Sequence, residues 1–251
     1  MQHLKMTNLD KIIAHNFIQN LLKDIELISK GRNFKLSDIE LENSDFTEYE
    51  YYIHNTSFYC IHFIELCQQL ENAIELLSNF RYDGKLRITR GDHLTYNIEN
   101  YIIRLTSLSD RTLQTINATF HLGINEKDVN ERVIINNLKV SKSTLSKHYS
   151  EFKKSLKDYI GERNTIVHKH SFMDKQLKKI QILYHSELTK GMLADSEKAD
   201  GFKEVRKRLL SDFISDRKKE FRKTNDTCFK SLLPILDDLD DQYGKMKQKL
   251  K

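Results

Sequence analysis

The scarcity of chain-breaking residues constrains the fold of this chain more than any other feature of its sequence. Only one proline and eight glycines occur among its 251 residues, while Leu, Ile, Lys and Glu are abundant. Proline and glycine supply most of the signals that interrupt helices and form tight turns. A chain with so few of these signals is predicted to be all-α and to consist of long helices.

Apolar residues recur at helical spacing along most of the chain. In the first such stretch Ile12, Phe17 and Leu21 predict a helix from Asn8, as its N-cap, to Lys30. Pro234 is expected to kink or restart the last helix, because proline removes a backbone donor. The remaining predicted helices cover residues 44–79, 96–122, 131–138 (short), 145–160, 173–190 and 202–250.

The whole chain is expected to form a single domain. No repeat, linker or low-complexity segment divides residues 1–251. We expect an elongated helical bundle with a core at about residues 44–190 and a C-terminal helical extension at about 198–250.

Composition excludes several classes of protein. Hydrophobic residues make up 39% of the chain and charged residues 31%, which is adequate for a core and too apolar for a disordered chain. The net charge of +5, from 41 basic and 36 acidic residues, favours a polyanionic partner only mildly. The N-terminus lacks the apolar run of a signal peptide, and no stretch approaches the ~20 apolar residues of a membrane span. We therefore expect a cytoplasmic protein with no membrane contact.

The predicted helix 44–79 holds candidate core residues. Cys60 and Cys67 lie seven residues apart, hence on one helical face, and are expected to be reduced and buried. Aromatic residues at helical spacing usually belong to a core, although a base-stacking or dimer face is the alternative. These aromatic residues are Tyr49, Tyr51, Tyr52, Phe58, Tyr59 and Phe63.

The segment from Gly161 to His170 has residue types that suggest chemistry more than packing. Arg163 is followed by the amide Asn164, and His168 follows Arg163 by five positions. Gly161 precedes them, at the point where the preceding helical pattern ends. The pattern Arg163-Asn-Thr-Ile-Val-His168 resembles the R-x4–6-H motif of the HEPN superfamily. These are all-helical domains, many of them metal-independent RNases of toxin–antitoxin, phage-defence and CRISPR systems, and the motif is expected near the start of a late helix.

A second stretch, residues 99–123, resembles one HEPN subfamily. It carries Arg104, Asp110 and Arg111 on a predicted helix, and the two resemblances together cover about residues 49–185. Asp110 could orient a basic catalytic group through a charge-assisted hydrogen bond. An ordinary ion pair with a neighbouring helix is the alternative. Asp110, Arg111 and His170 are therefore expected as possible supporting residues.

The resemblance implies cleavage of RNA without a metal or a cofactor. RNA carries its own nucleophile, the 2′-OH, and a histidine titrates near neutral pH, so His168 could transfer protons. Arg163 would stabilise negative charge on the phosphate, with Asn164 in support. On an ideal helix Arg163 and His168 point about 140° apart, so either Arg163 sits in a non-ideal backbone or a second subunit completes the site. HEPN RNases are generally dimers with a composite site, so a homodimer is expected.

A metal site at this motif is not expected. His168 and His170 would point about 200° apart on a helix, and no acidic or cysteine cluster lies nearby in the sequence.

Basic residues elsewhere are candidates for contacts with RNA. Arg87 and Arg90 lie in the stretch 80–95, which is predicted to be a loop or small hairpin, and Arg217 and Lys218 lie in a basic block of the last helix. Such residues could contact phosphates and add salt-dependent affinity. They could equally form the solvated face of an amphipathic helix.

These observations predict a HEPN-type endoribonuclease that acts as a toxin or anti-phage effector. Its expected partners are RNA, a second copy of the chain and an antitoxin or defence-system protein. A non-catalytic helical module that binds RNA or a protein, and a purely structural scaffold, are the alternatives.

Overall fold

The structure is a computed structural model that describes residues 6–32, 46–79, 88–185, 189 and 196–251. Within these ranges it contains helices and no β-strand, which confirms the prediction of an all-α fold. A short 3₁₀ turn covers Glu126–Asp128. The ten described α-helices are α1 Asn8–Ile13, α2 Asn16–Arg32, α3 Glu48–Leu76, α4 Arg90–Thr119, α5 Glu131–Ile135, α6 Leu138–Ser141, α7 Leu145–Ser155, α8 Lys157–His168, α9 Lys175–Leu183 and α10 Ser196–Leu250.

Side chains that bond to nearby backbone groups set several helix starts. Thr7, and not Asn8 as predicted, caps α1 in a capping box with Asp10. The predicted helix 8–30 is two helices, because α1 ends at Ala14 and the ring of His15 accepts the N–H of Phe17 at 3.2 Å. The predicted start of the next helix, at residue 44, lies outside the described residues. A capping box of Thr47 and Glu50 starts α3.

Two helix boundaries near the candidate site differ from the prediction. The expected helix 145–160 is broken at Leu156, which ends α7, while the Ser155 hydroxyl bonds the carbonyl of Phe152 at 2.6 Å. Gly161 therefore lies inside α8. Helix α4 begins at Arg90 with a capping box of Thr89 and Asp92, so the part of the predicted loop that follows residue 89 is helical.

The long C-terminal helix does not restart at Pro234. Helix α10 continues for 55 residues with this proline inside it. Leu232, Ile235 and Leu236 are all buried around the proline. Burial of this apolar face offsets a local cost of about 3 kcal/mol for proline in a helix interior. No helix in the described ranges has the length and apolar character needed to cross a membrane.

The chain divides into two compact units, and α3, α4 and α10 each contribute residues to both. The first unit consists of Met1–Gln68, Ser107–Leu156 and Asp226–Lys251. In it Tyr243 donates to the Asp24 carboxylate at 2.7 Å, and Tyr52 donates to the carbonyl of Thr119 at 2.8 Å. The predicted single domain with a core at 44–190 stays a prediction.

The aromatic residues of α3 in the first unit have two environments. Tyr52 and Phe63 are buried, as a core stripe predicts, whereas Tyr51 and Phe58 are 39% and 43% exposed. All three cysteines are buried and none forms a disulfide, which confirms the expectation for Cys60 and Cys67. The aromatic residues therefore contribute to the core from only part of the helix circumference.

The second unit consists of Gln69–Thr106 and Lys157–Asn225 and contains α8. Tyr101 stacks on Phe221 with 3.7 Å between ring centroids, and its hydroxyl donates to Asn225 at 2.9 Å. Gly91 permits a close approach, because a Cβ there would lie 2.5 Å from Cγ of Gln181. Further buried apolar residues of this unit include Leu70, Ile74, Leu77, Leu94, Ile98, Ile102, Leu105, Leu177, Ile180, Leu210 and Phe213.

Candidate active site

The Arg–Asn–His motif lies on the last turns of α8. The sequence predicted a position near a helix start, and this is wrong, because α8 begins at Lys157, directly after the break at Leu156. Gly161 continues the helix, and its carbonyl accepts a hydrogen bond from the Thr165 hydroxyl at 3.1 Å. The motif therefore starts two residues after Gly161 and ends with the helix at His168.

The motif side chains differ in exposure. Arg163 is half-buried, and its Nη1 donates to Oδ1 of Asn164 at 3.1 Å. Asn164 and His168 are exposed, and the His168 side chain has no hydrogen-bond partner among the described residues. Helix α8 contains no buried residue at all. The motif is thus presented on a helix that is only partly covered by its own chain.

The regular helix fixes the directions of these side chains. Both Arg163 and His168 lie within α8, so the expected non-ideal backbone at Arg163 is wrong. On a regular helix the Cα–Cβ bonds of residues five positions apart point about 140° away from each other. Asn164 and His168, four positions apart, share a face. One copy of α8 therefore presents the amide and the imidazole on one face. The Cα–Cβ bond of Arg163 points in another direction, although its guanidinium reaches back to the Asn164 amide.

His170 lies just beyond the helix end. The N–H groups of Lys169 and His170 both bond the carbonyl of Thr165, which closes the last turn. The His170 side chain is exposed, and its Nδ1 donates to the carbonyl of Ser171 at 2.9 Å. This bond places the proton of a neutral ring on Nδ1 and leaves Nε2 as the acceptor.

A network around Arg217 holds the segment that follows the motif. Nη2 of Arg217 donates to the Asp174 carboxylate and Nη1 to the Glu220 carboxylate, both at 2.8 Å. The other carboxylate oxygen of Asp174 caps α9, accepting the N–H groups of its first turn at 2.8 and 2.9 Å. The guanidinium also lies over the ring of Phe172, 5.4 Å from its centroid. Phe172 itself donates its N–H to Glu99 at 2.6 Å.

Arg217 and Lys218 of α10, which were predicted to contact RNA, have structural roles. Arg217 is bound on both sides by carboxylates, and Lys218 pairs with Glu75 at 3.2 Å. Both side chains are only 20% exposed. A phosphate would have to displace these carboxylates, so the geometry disfavours direct contact with RNA at either residue.

Helix α8 carries an acidic residue that sequence reasoning did not single out. Desolvation raises the pKa of the Glu162 carboxyl, Arg217 opposes this, and the carboxylates of Glu220 and Asp158 raise it further. Tyr159, one turn earlier, bonds Glu220 at 3.1 Å and Thr224 at 3.0 Å. The only sequence signal for Glu162 was its position next to Arg163.

The other predicted basic contacts lie at the start of α4. Arg87 lies outside the described residues. Arg90 is half-buried, its Nε donates to Oδ1 of Asn79 at 3.0 Å, and its guanidinium lies 4.8 Å from the ring centroid of Tyr184. Arg206 lies over the same ring at 5.0 Å. The sequence pattern did not single out Arg206.

Asp110 and Arg111 belong to the first unit, whereas the motif belongs to the second. Asp110 is exposed. Nη1 of Arg111 donates to Gln114 at 2.9 Å, and Gln114 donates to Glu126 at 3.2 Å. Arg111 is thus part of a polar chain within its own unit, and a supporting role for this pair stays a prediction. Among the described residues no group of three or more His, Cys, Asp or Glu is arranged to hold a metal ion.

Comparison with known proteins identifies the family. The family model of the Cthe2314-like HEPN domains matches residues 39–240, which is 202 of the 251 residues. The match extends beyond the predicted range of resemblance at both ends and includes most of α10. No curated protein and no solved structure shows a significant match. With four fifths of its length matched and an all-α fold, the chain belongs to the Cthe2314-like HEPN family.

Proposed function

We propose that this protein is a metal-independent endoribonuclease of HEPN type that acts as a homodimer. The observation that carries the proposal is the position of Arg163, Asn164 and His168 on the open last turns of α8, in a chain of the HEPN family. The cellular role would be that of a toxin or anti-phage effector in the cytoplasm, restrained by an antitoxin or another defence-system protein.

The directions of the motif side chains favour a composite site. The Cα–Cβ bonds of Arg163 and His168 diverge by about 140° on one helix, which favours a site in which the two residues come from different copies of α8. Two facing copies of α8 would let Arg163 of one protomer meet the imidazole of the other. The lack of any buried residue in α8, and the 47% exposure of Val167 beside His168, leave surface for such a contact.

The reaction uses a nucleophile within the substrate. His168 in its neutral form accepts the proton of the 2′-OH as the 2′-oxygen attacks phosphorus. The P–O5′ bond breaks, and the leaving 5′-oxygen takes a proton from an imidazolium, which gives a 2′,3′-cyclic phosphate and a 5′-hydroxyl. Arg163 stabilises the charge that develops on the phosphate oxygens, and Asn164 orients the Arg163 fork through their hydrogen bond. No cofactor takes part in these steps.

Cleavage of a mixed RNA pool in EDTA tests the proposal. Wild type is compared with Arg163→Ala and His168→Ala, and with His185→Ala and Arg208→Ala as matched controls that remove the same residue types from exposed positions outside the motif. We expect wild type and both controls to cut, with cyclic-phosphate ends, and both motif variants to lose about 100-fold or more in rate.

Three other results would contradict the proposal. Equal cleavage by all variants would place the activity elsewhere or in a contaminant. Cleavage by a mixture of the two inactive motif variants no better than by either alone would argue against a composite site, since mixed dimers should restore one site. RNA binding without cleavage, unchanged in the motif variants, would favour a non-catalytic RNA-binding module.

A further inference from the structure

Two arginines from different helices share one aromatic ring in the second unit. Arg90, the first residue of α4, and Arg206 of α10 place their guanidinium carbons 4.8 and 5.0 Å from the ring centroid of Tyr184. The two guanidinium carbons are therefore at most 9.8 Å apart, the sum of these distances. We call Arg90, Tyr184 and Arg206 the arginine–tyrosine cluster.

The two charges of this cluster have no counter-ion among the residues that the structure describes. Neither Arg90 nor Arg206 forms an ion pair with any described carboxylate, and the only polar partner of the Arg90 side chain there is Asn79. Arg217, Lys218 and Arg222, farther along α10, are each paired with a carboxylate. Like charges at this separation repel one another, and a bound anion would lower this repulsion.

The contacts of each arginine leave donors available. Nε of Arg90 donates to Asn79, and the side-chain nitrogens of Arg206 have no partner among the described residues. The terminal nitrogens of both guanidinium groups are therefore unoccupied there. The planar fork of a guanidinium matches two oxygens of a phosphate. Tyr184 restricts both side chains through cation–π contacts and a hydrogen bond from its hydroxyl to the Arg206 carbonyl at 3.4 Å. Such restriction reduces the conformational entropy lost on binding an anion.

We infer that the arginine–tyrosine cluster binds backbone phosphate of the RNA substrate, away from the cleavage motif. The choice of RNA as the anion rests on the proposed ribonuclease function. An acidic protein segment would offer carboxylates instead, and a purely structural cluster would need no anion. The half-buried state of all three side chains suits a phosphate that docks at the surface without entering a cavity.

The test measures RNA binding separately from cleavage. In a His168→Ala background, which leaves the cluster intact, binding of a single-stranded RNA is compared with binding by the further double variant Arg90→Gln/Arg206→Gln. Glutamine keeps a planar amide on a flexible stem and removes the charge. The matched control is Arg208→Gln/Lys219→Gln, because both residues are exposed on α10 and point about 160° and about 140° away from Arg206.

We expect the cluster variant to bind about tenfold more weakly than its parent and to lower the slope of log K against log salt by about 1. The control variant should lose less affinity for RNA and should show a smaller change in this slope than the cluster variant. Thermal unfolding of each variant shows whether it is folded. Should the double variant fail to fold, Arg206→Gln alone replaces it, since Arg206 makes no side-chain hydrogen bond with the described residues.

The outcomes separate this inference from the proposed function. Equal losses in cluster and control variants would overturn the inference, since the effect would be one of net charge only. Unchanged RNA binding with a lower melting temperature would also overturn it and make the cluster structural. Preferential binding of polyglutamate over RNA would overturn it in favour of an acidic protein partner. If the wild-type protein never cuts RNA, the proposed nuclease function is refuted. A loss of RNA binding in the cluster variant would still support the phosphate site in that case.

Discussion

Replacement of Gly161 by alanine tests the local structure on which the candidate site depends. Gly161 lies in the interior of α8, two residues before Arg163, whereas the sequence pattern placed a helix end there. A Cβ at this position would meet no atom within 4 Å. The substitution therefore changes backbone propensity without creating a contact within the chain.

The expected effect of Gly161→Ala is a gain in stability. Glycine in a helix interior is about 1 kcal/mol less favourable than alanine, chiefly because the unfolded glycine has more conformations to lose. With no steric cost to offset this gain, the free energy of unfolding should rise by about 0.5–1 kcal/mol. For a chain of this length the midpoint of thermal unfolding should rise by about 1–4 °C.

Circular dichroism during thermal and urea unfolding measures the change, with two glycine controls. Gly244→Ala on α10 also meets nothing within 4 Å and should stabilise similarly. Gly91→Ala should destabilise, because its Cβ would lie 2.5 Å from Cγ and 3.1 Å from Cα of Gln181. Overpacking of this kind costs about 1–3 kcal/mol, which exceeds the gain in helix propensity.

A lower melting temperature for Gly161→Ala, with the expected gain in Gly244→Ala, would refute the helical placement of the motif. The 140° divergence of Arg163 and His168 would then lose its basis, and with it the argument for a composite site. A variant that is stabilised as a monomer but no longer dimerises would instead place Gly161 at the protomer interface.

Three further predictions follow from packing and electrostatics. Arg217→Met should lower the free energy of unfolding by about 2 kcal/mol. A double-mutant cycle with Asp174→Asn, measured by urea unfolding, should give a coupling energy of about 1 kcal/mol. Additive effects of the two substitutions would show that the ion pair contributes no stability. Burial raises the pKa of the Cys60 thiol to about 12 and also raises that of Cys228, so a thiol reagent at mildly alkaline pH should modify these two residues only after denaturation. Rapid modification of either thiol in the folded protein would contradict this burial. Desolvation lowers the pKa of His54 below its ordinary 6.5, so the unfolded state binds the proton more readily than the folded state. The free energy of unfolding should therefore fall as the pH drops below 6.5, and urea unfolding of His54→Gln should show a smaller fall. The same pH profile in wild type and His54→Gln would exclude this residue as a cause.

Hydrophobic periodicity predicted the existence of most helices correctly and several of their ends incorrectly. Phe152 and Leu156 are both buried, so the apolar pattern continues through the break between α7 and α8. The break depends on local geometry, namely the backbone of Leu156 and the hydrogen bond of the Ser155 hydroxyl, which a periodic pattern does not contain. At Pro234 the sequence left a kink or a restart open, and α10 continues through the proline with buried residues around it.

The sequence could predict the motif but could not distinguish among the basic residues. Arg206 and Arg217 belong to the same basic block of α10, and two further basic residues follow each of them. The fold brings Asp174, 43 residues away, to Arg217, and brings Tyr184 to Arg206. Contacts over such sequence distances decide which charge is neutralised within the chain, and a charge count along the sequence cannot reveal them.

The contacts that hold α8 and the groups proposed to act in catalysis belong to different residues. Tyr159 ties the first half of the helix to Glu220 and Thr224, and Arg217 binds Asp174 beyond its last turn. Asn164 and His168 are exposed, and exposed residues without such contacts usually change stability by less than about 0.5 kcal/mol when replaced. A loss of cleavage in His168→Ala would therefore report on chemistry at an intact helix. The same loss in Arg217→Met would come with a loss of stability, because that residue acts by holding the segment in place.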